Sequence, residues 1–260
     1  YGPYSALRPS YWISPRRRLH FPAVLPLWSH DWSTYYHWLV DIAPKIATAQ
    51  RDLGASAADL VFLYPGKLRS YEVETLEALG VLPSRVINLR QTGGVTADTI
   101  YTMPLPGFYR VHPRLNAFRS ALGVQRQACR RLYVSRSGRR RIENEDALVA
   151  MLDGFGFEFV PDVPRSLNAQ IELFAEASHI VSPHGAALSN LIWSSGNTRV
   201  LELASAVYSP DYFGVLADEC DVKYERLIFG AGVSDWKATA VDFTADLDAI
   251  RRFIAEDWLL

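Results

Sequence analysis

Apolar and polar positions along this chain switch between two periods, and the switching lays out its elements. Val24-Leu25-Pro26-Leu27 is a short apolar run that predicts a strand. Leu39, Ile42 and Ile46 then recur at helical spacing, which predicts a helix over residues 33–46. Ser33 or Thr34 can cap its start, and Pro44 should kink it or end its first part. Residues 59–64 and 85–89 predict strands, with a helix over 70–79 between them that Gly80 stops. Residues 96–102 alternate and predict a further strand, 103–107 a loop, and 111–122 a helix. The second half continues the pattern. Strands are predicted at 131–135, 157–160, 198–203 and 222–228, with a short strand ending at Ile180-Val181. Helices are predicted from Asn144 to Leu152, over 166–177, from Ala186 to Trp193, over 208–220, and over 245–258 as a final amphipathic segment. Gly154 and Gly156 bracket the end of the first of these. Such alternation predicts an α/β fold of parallel sheets with helices on both faces.

The composition shifts at Gly123, where a basic run follows, so we read two domains, 1–125 and 126–260. The last helix is left open to packing back on the N-terminal one. No internal repeat or low-complexity tract is present. With 260 residues and 49% apolar content the chain can build a substantial core. No apolar run approaches the ~20 residues of a membrane span. The net charge of −1 argues against a dedicated nucleic-acid binder, and Arg16-Arg17-Arg18 reads as a solvated basic patch. Cys129 and Cys220 are too few and too scattered for a metal site or a disulfide framework, which points to a reducing, cytoplasmic setting. The chain begins at Tyr1 without a Met or a signal-peptide pattern, and is read as a trimmed piece from which targeting information can be missing.

Four stretches carry chemistry. In His179-Ile180-Val181-Ser182-Pro183-His184-Gly185-Ala186-Ala187-Leu188-Ser189-Asn190, a strand passes through a small-residue turn into a helix start. The unpaired N–H groups of such a turn and the helix dipole favour an anion. Gly185 and Ala186 let a phosphate approach the backbone, and His184 can add a hydrogen bond. The plain alternative is an ordinary strand-to-helix turn with a surface histidine. His37 and Asp41 are four apart on one helix face, an imidazole–carboxylate pair suited to general-base work or simply a surface ion pair. Tyr35, Tyr36 and Trp38 surround them in sequence and favour a pocket. Six arginines fall between Arg130 and Arg141, at the carboxyl end of a strand, where open α/β sheets bind ligands. One or two of them should face a ligand, the rest solvent. Glu202, near the carboxyl end of its strand, is placed either to accept from a ribose diol or to pair with a buried arginine. Gln170 could reach a cleft or lie on the surface.

As a set these motifs resemble the bacterial members of glycosyltransferase family 61, of the capsular and polysaccharide-biosynthesis type. The matching residues are Tyr35-Tyr36-His37-Trp38-Leu39-Val40-Asp41 with Pro44, Val134-Ser135-Arg136, Arg141-Ile142 with Asn144-Glu145, and Gly156-Phe157. Gln170, His184-Gly185-Ala186-Ala187-Leu188 with Asn190, and Val200-Leu201-Glu202-Leu203 complete them, so the resemblance spans residues 34–203. Thr34 stands where that family commonly has Asn, and Ser189 where it has Thr. The resemblance implies a GT-B-like fold of two facing Rossmann-type domains. It also implies inverting, metal-independent transfer of a sugar from a nucleotide-sugar donor, with no cofactor and no metal. The expected donor site comprises Arg136 with Arg140 or Arg141, the N–H groups of Gly185, Ala186 and Ala187 with His184, and Gln170, Asn190 and Glu202. Asp41 or His37 is expected to take the proton of the attacking hydroxyl, the pair acting together with Asp41 preferred as the base. The acceptor is expected to be a saccharide, free or lipid-linked, with no nucleic acid and with peripheral association at the inner face of the membrane open. A phosphoester hydrolase would need a metal cluster or a covalent nucleophile that the sequence does not offer. A non-catalytic nucleotide-sugar-binding module is the remaining alternative.

Overall fold

The computed structural model describes residues 18–29, 31–92, 94–103, 114–123, 127–232, 235 and 240–258. Their strands fall into two separate sheets, both wholly parallel. The chain divides accordingly into one unit of Tyr1–Leu105 with Asn116–Leu122 and a second of Pro106–Leu115 with Gly123–Leu260. Two parallel-sheet α/β units are what a GT-B-like two-domain fold comprises.

The first sheet contains β1 (Leu19–Pro26), β2 (Val61–Tyr64), β3 (Val86–Asn88) and β4 (Val95–Ile100), in the order β3-β2-β1-β4. β1 begins at Leu19 rather than at Val24. Its first half pairs with β4 alone, whereas β2 joins only from Val24 onward, so those residues are half-exposed and carry no apolar run. The helical stretch after β1 has three parts: α1 (Tyr35–His37), a π-helical turn (Trp38–Ile42) and α2 (Ala43–Leu53). The expected helix is therefore present, but its interruption lies just before Pro44 and takes the form of a widened turn. Proline lacks an N–H, and its ring crowds the carbonyl four residues back. A π turn relieves that crowding, and the Ala43 N–H bonds the Trp38 carbonyl instead. α3 (Ser70–Ala78) ends as expected, with Gly80 at φ +67° and the Val81 N–H on the Leu76 carbonyl. The core of this unit contains Leu25, Trp38, Leu39, Ile42, Ile46 and Phe62. α4 (Leu115–Leu122) is the described part of the expected helix 111–122; residues 111–113 lie outside the described residues, as do Arg16, Arg17 and 104–107 of the expected loop.

The second sheet contains β5 (Arg130–Val134), β6 (Glu158–Val160), β7 (Ala177–Pro183), β8 (Arg199–Ser205) and β9 (Lys223–Phe229), in the order β6-β5-β7-β8-β9. Between them lie α5 (Glu145–Asp153), α6 (Leu167–Ala175) and α7 (Tyr212–Glu219). Residues 186–193 form a 3₁₀ helix, not the α-helix start that their apolar run suggests. Asn144 precedes α5 but does not cap it with its side chain. Its amide instead brackets Ala245, donating to the carbonyl and accepting from the N–H, each at 2.9 Å. The final segment is α8 (Leu247–Phe253), capped by Asp246 and continued by a π turn, Ile254–Trp258. It packs in the second unit's own core. Ile250 and Ile254 join Tyr133, Leu148, Val181 and Leu201, and Trp258 stacks on Phe157. Among the described residues no helix is long and apolar enough to cross a membrane.

In each sheet the strand order reverses beside the unit's first strand. β2 and β3 extend to one side of β1 and β4 lies on the other; β6 lies on one side of β5 and β7 to β9 on the other. Ligands of open α/β sheets bind at such switch points, outside the carboxyl ends of the strands.

Candidate active site

The first unit's switch point holds an imidazole–carboxylate pair. β1 ends at Pro26, Leu27 is buried, and the chain then presents Ser29, only 4% exposed. The Ser29 hydroxyl donates to Asp41 Oδ2 at 3.0 Å and lies 3.3 Å from His37 Nδ1. His37 Nδ1 is 2.5 Å from the same Asp41 oxygen. Both side chains belong to the interrupted helix, one on its last α residue and the other inside the π turn. The loop after β1 is pinned from behind, because the buried Lys45 ammonium donates to the Trp28 carbonyl at 2.5 Å. Of the three aromatics expected around the pair, Tyr36 meets the His37 ring edge-on at 5.2 Å. Tyr35 packs instead on Tyr71, and Trp38 is a fully buried core residue against Tyr64.

This geometry assigns tautomers. A carboxylate only accepts, and Asp41 Oδ2 faces both the Ser29 hydroxyl and His37 Nδ1. Nδ1 therefore carries the hydrogen, and the basic lone pair of neutral His37 sits on Nε2.

The second unit's switch point lies between β5 and β7. β5 runs into Ser135 and Arg136, and β7 runs into His184 and Gly185. The two ends touch. A Cβ on Gly185 would collide with the Arg136 guanidinium. Gly185 is extended, with φ 176°, so it is needed for space and not for an unusual backbone. The first intrahelical bond of the 3₁₀ turn runs from the Leu188 N–H to the Gly185 carbonyl at 3.0 Å. The N–H groups of Gly185, Ala186 and Ala187 precede it and have no partner within the helix.

Arg136 is held in place by its loop. Its Nε donates to the Arg139 carbonyl, and the following Ser137 bonds Asp162 through both its N–H, at 2.8 Å, and its hydroxyl, at 2.9 Å. Burial, and after it the neighbouring Arg140 charge, pushes the Arg136 guanidinium down to about 10; Asp162 partly offsets this. Arg140 is only 8% exposed, is likewise lowered by burial, and lies 5.0 Å over the Tyr208 ring. Two adjacent, desolvated cations are stabilised by any anion placed between them. Arg141 lines a pocket together with Arg136, but its guanidinium is engaged by Asp242, through Nε at 3.0 Å and Nη2 at 2.8 Å. Of the two expected helpers of Arg136, Arg140 is thus the one beside it.

His184, 4% exposed, is fixed by Glu202 through Nδ1, by Phe213 against its face and by Tyr208 at its edge. Glu202 is 0% exposed. His184, Tyr224 and Arg226, the last at 2.7 Å, all donate to its carboxylate. Burial alone would raise its pKa, but these three donors outweigh it and hold Glu202 below the ordinary carboxylate range. Of the two roles open to Glu202, the structure has the buried acid paired with an arginine. A ribose diol has no access to it. Gln170 and Asn190 also face inward: the Asn190 amide donates to Gln170 and to the Ala187 carbonyl, each at 3.1 Å, and accepts from Trp193. They brace the 3₁₀ turn that presents Ala186 and Ala187.

Sequence reading missed Ser29, Tyr208, Tyr224 and Arg226. Ser29 and Tyr208 lie in loops with no local signal. Arg226 had one, since it stands directly opposite Glu202 in the β8–β9 register, with Tyr224 on the same face. Among the described residues no group of three or more His, Cys, Asp and Glu side chains is placed to hold a metal ion.

No curated protein matches the sequence. The sequence model of the family described as Glycosyltransferase 61 matches residues 35–201, more than half of the chain, from Tyr35 beside His37 through β5, the arginine loop and the His184 turn into β8. The chain belongs to the glycosyltransferase 61 family.

Proposed function

We propose that this glycosyltransferase transfers a sugar, with inversion and without a metal, from a nucleotide-sugar donor to a hydroxyl of a saccharide acceptor, free or lipid-linked, in polysaccharide or glycan synthesis. The observation that carries this reading is the seating of the Arg136 guanidinium against Gly185, where β5 and β7 diverge and Arg140 and His184 adjoin. A leaving nucleoside diphosphate gains charge as the glycosidic bond breaks. Fixed guanidinium groups and N–H dipoles favour that developing charge over the ground state, which is the work a divalent cation would otherwise do.

The first unit supplies the base. The sequence favoured Asp41 for this step, but the geometry favours His37. Asp41 Oδ2 is engaged by Ser29 and by His37 Nδ1, so the carboxylate orients and stabilises the imidazole. Nε2 takes the proton of the attacking hydroxyl. The hydroxyl oxygen bonds the anomeric carbon as the bond from that carbon to the diphosphate oxygen breaks, and the electron pair leaves on the phosphate. One displacement inverts the centre. We place this work in the cytoplasm, with a lipid-linked acceptor bringing it to the inner face of the membrane.

Thermal-shift screening against nucleoside diphosphates and nucleotide sugars tests the donor half. The expected result is stabilisation by a nucleoside diphosphate that a chelator leaves unchanged and that Arg136→Ala removes. Stabilisation that vanishes with chelator would overturn the metal-free step. For the base, His37→Gln and Asp41→Asn should each lower transfer about 10²- to 10⁴-fold while leaving nucleotide affinity intact. Full activity in His37→Gln would return the role to Asp41.

A further inference from the structure

The arginine loop opens on a pocket of about 520 Å³, lined among others by Ser135, Arg136, Arg141, Glu145, Asp146 and Asp242. We infer that Glu145 holds the ribose diol of the donor nucleotide. This rests on the donor reading above and assigns the diol contact that the buried Glu202 cannot make. Glu145 is the first residue of α5, at the end of the loop that leaves β5 beside the switch point. Glu145 lines the pocket together with Arg136, the arm proposed for the phosphates.

The carboxylate is clamped. Tyr133 Oη donates to Oε1 at 2.6 Å and Ser135 Oγ at 2.8 Å. These two bonds fill the lone pairs of Oε1, and among the described residues Oε2 accepts none. Burial first, and then Glu145 itself, raises the Tyr133 pKa, so its hydroxyl remains a donor. A preset acceptor-only group suits two vicinal hydroxyls, which both donate, and is a poor partner for phosphate. The pocket therefore offers a cation to one end of a nucleotide and an anion to the sugar beside it. Its other acids are otherwise engaged or exposed: Asp242 on Arg141, Glu143 on Thr244, and Asp146 toward solvent.

Calorimetry on the full chain with uridine, cytidine, guanosine and adenosine diphosphates identifies the nucleotide that binds, and its 2′,3′-dideoxy counterpart then tests the contact. The wild-type protein should bind the dideoxy form roughly ten- to hundred-fold more weakly. Glu145→Gln should bind both forms with similar affinity and keep its affinity for inorganic pyrophosphate. Tyr133→Phe, which spares the carboxylate and loosens its clamp, should weaken the ribonucleotide and not the dideoxy form. Equal affinity of the wild-type protein for the two forms, or a preference that persists in Glu145→Gln, would overturn the assignment and leave the donor reading standing. Failure of every nucleoside diphosphate to bind the wild-type protein would overturn the donor reading, and the assignment with it.

Discussion

At position 185 the absence of a side chain matters because of who stands beside it. The backbone there is extended, so alanine costs nothing conformationally, yet its methyl would occupy the place of the Arg136 guanidinium. The clash falls on the guanidinium end of a side chain and not on backbone, so the arginine would be the one to move. Gly185→Ala should therefore leave unfolding free energy within about 1 kcal/mol of wild type while nucleoside diphosphate affinity falls about ten-fold or more. Urea melts and calorimetry on the same sample separate the two effects. An unchanged affinity would mean that the position of Arg136 is irrelevant to the anion. Residue types at this site were legible from sequence because the small-residue turn and the arginine run are local features. Which arginine acts was not, since Arg140 and Arg141 are neighbours in the chain and only the fold separates them, burying Arg140 over Tyr208 and leaving Arg141 exposed on Asp242. Glu202 shows the same limit. A lone acid in an apolar strand signals a special role, but only the partner strand, carrying Tyr224 and Arg226, decides that the role is internal.

Among elements, the helix bearing His37 and Asp41 owes its π turn to Pro44. Replacing the ring by alanine restores an N–H and removes the crowding, so Pro44→Ala should let the turn relax toward an α-helix. Asp41 would then shift against Ser29, which is buried in the loop three residues after β1. Transfer should drop at least ten-fold while the melting temperature holds or rises, and hydrogen exchange in residues 38–44 should slow. Wild-type turnover with slowed exchange would show that the widened turn serves folding alone. Sequence periodicity signalled a helix and a break here, but π and 3₁₀ turns differ from α by one hydrogen-bond step and leave no separate apolar period. The 3₁₀ helix after Gly185 was hidden for the same reason. A second element-level case is the last helix, whose Trp258 packs 5.0 Å from the ring of His179 on β7. Burial, with smaller contributions from Arg131 and Arg199, lowers His179 from 6.5 to about 4. The unfolded chain takes up this proton below about pH 6.5 and the folded chain only near 4, so stability falls as pH drops through that window. For a half-buried ring the loss should be about 1–2 kcal/mol after solvent screening. His179→Phe should show a smaller fall in urea midpoint between pH 7 and 4.5 than wild type. Equal falls would exclude His179 as the source.

For the molecule as a whole, the alternation of strand and helix was enough to read two parallel-sheet halves, because parallel strands need crossovers and most of the crossovers here are helical, the link from β3 to β4 being the exception. Strand order was not readable, and it is the order that places chemistry. With β5 between β6 and β7, Arg136 and Gly185 emerge side by side; with β1 between β2 and β4, the chain after β1 delivers Ser29 to the helix that follows. The final helix could be found from its amphipathic pattern, whereas its home in the second unit depends on long-range partners such as Tyr133, Leu148 and Val181. That core has a consequence for dissection. Its members run from Tyr133 to Ile254, and each donor-side group, from Arg136 to Arg226, lies within the same stretch. A fragment of residues 123–260 thus contains a five-stranded sheet, its core and its whole anion site, while His37 and Asp41 are left behind. It should fold cooperatively and bind a nucleoside diphosphate within about ten-fold of the full chain, a margin of about 1.4 kcal/mol. It should catalyse no transfer. Removing α8 from the same fragment, by ending it at residue 245, should abolish cooperative unfolding, because Ile250 and Ile254 are fully buried. A folded fragment with no nucleotide affinity would move part of the donor site into the first unit, and transfer by the fragment alone would remove His37 and Asp41 from the reaction.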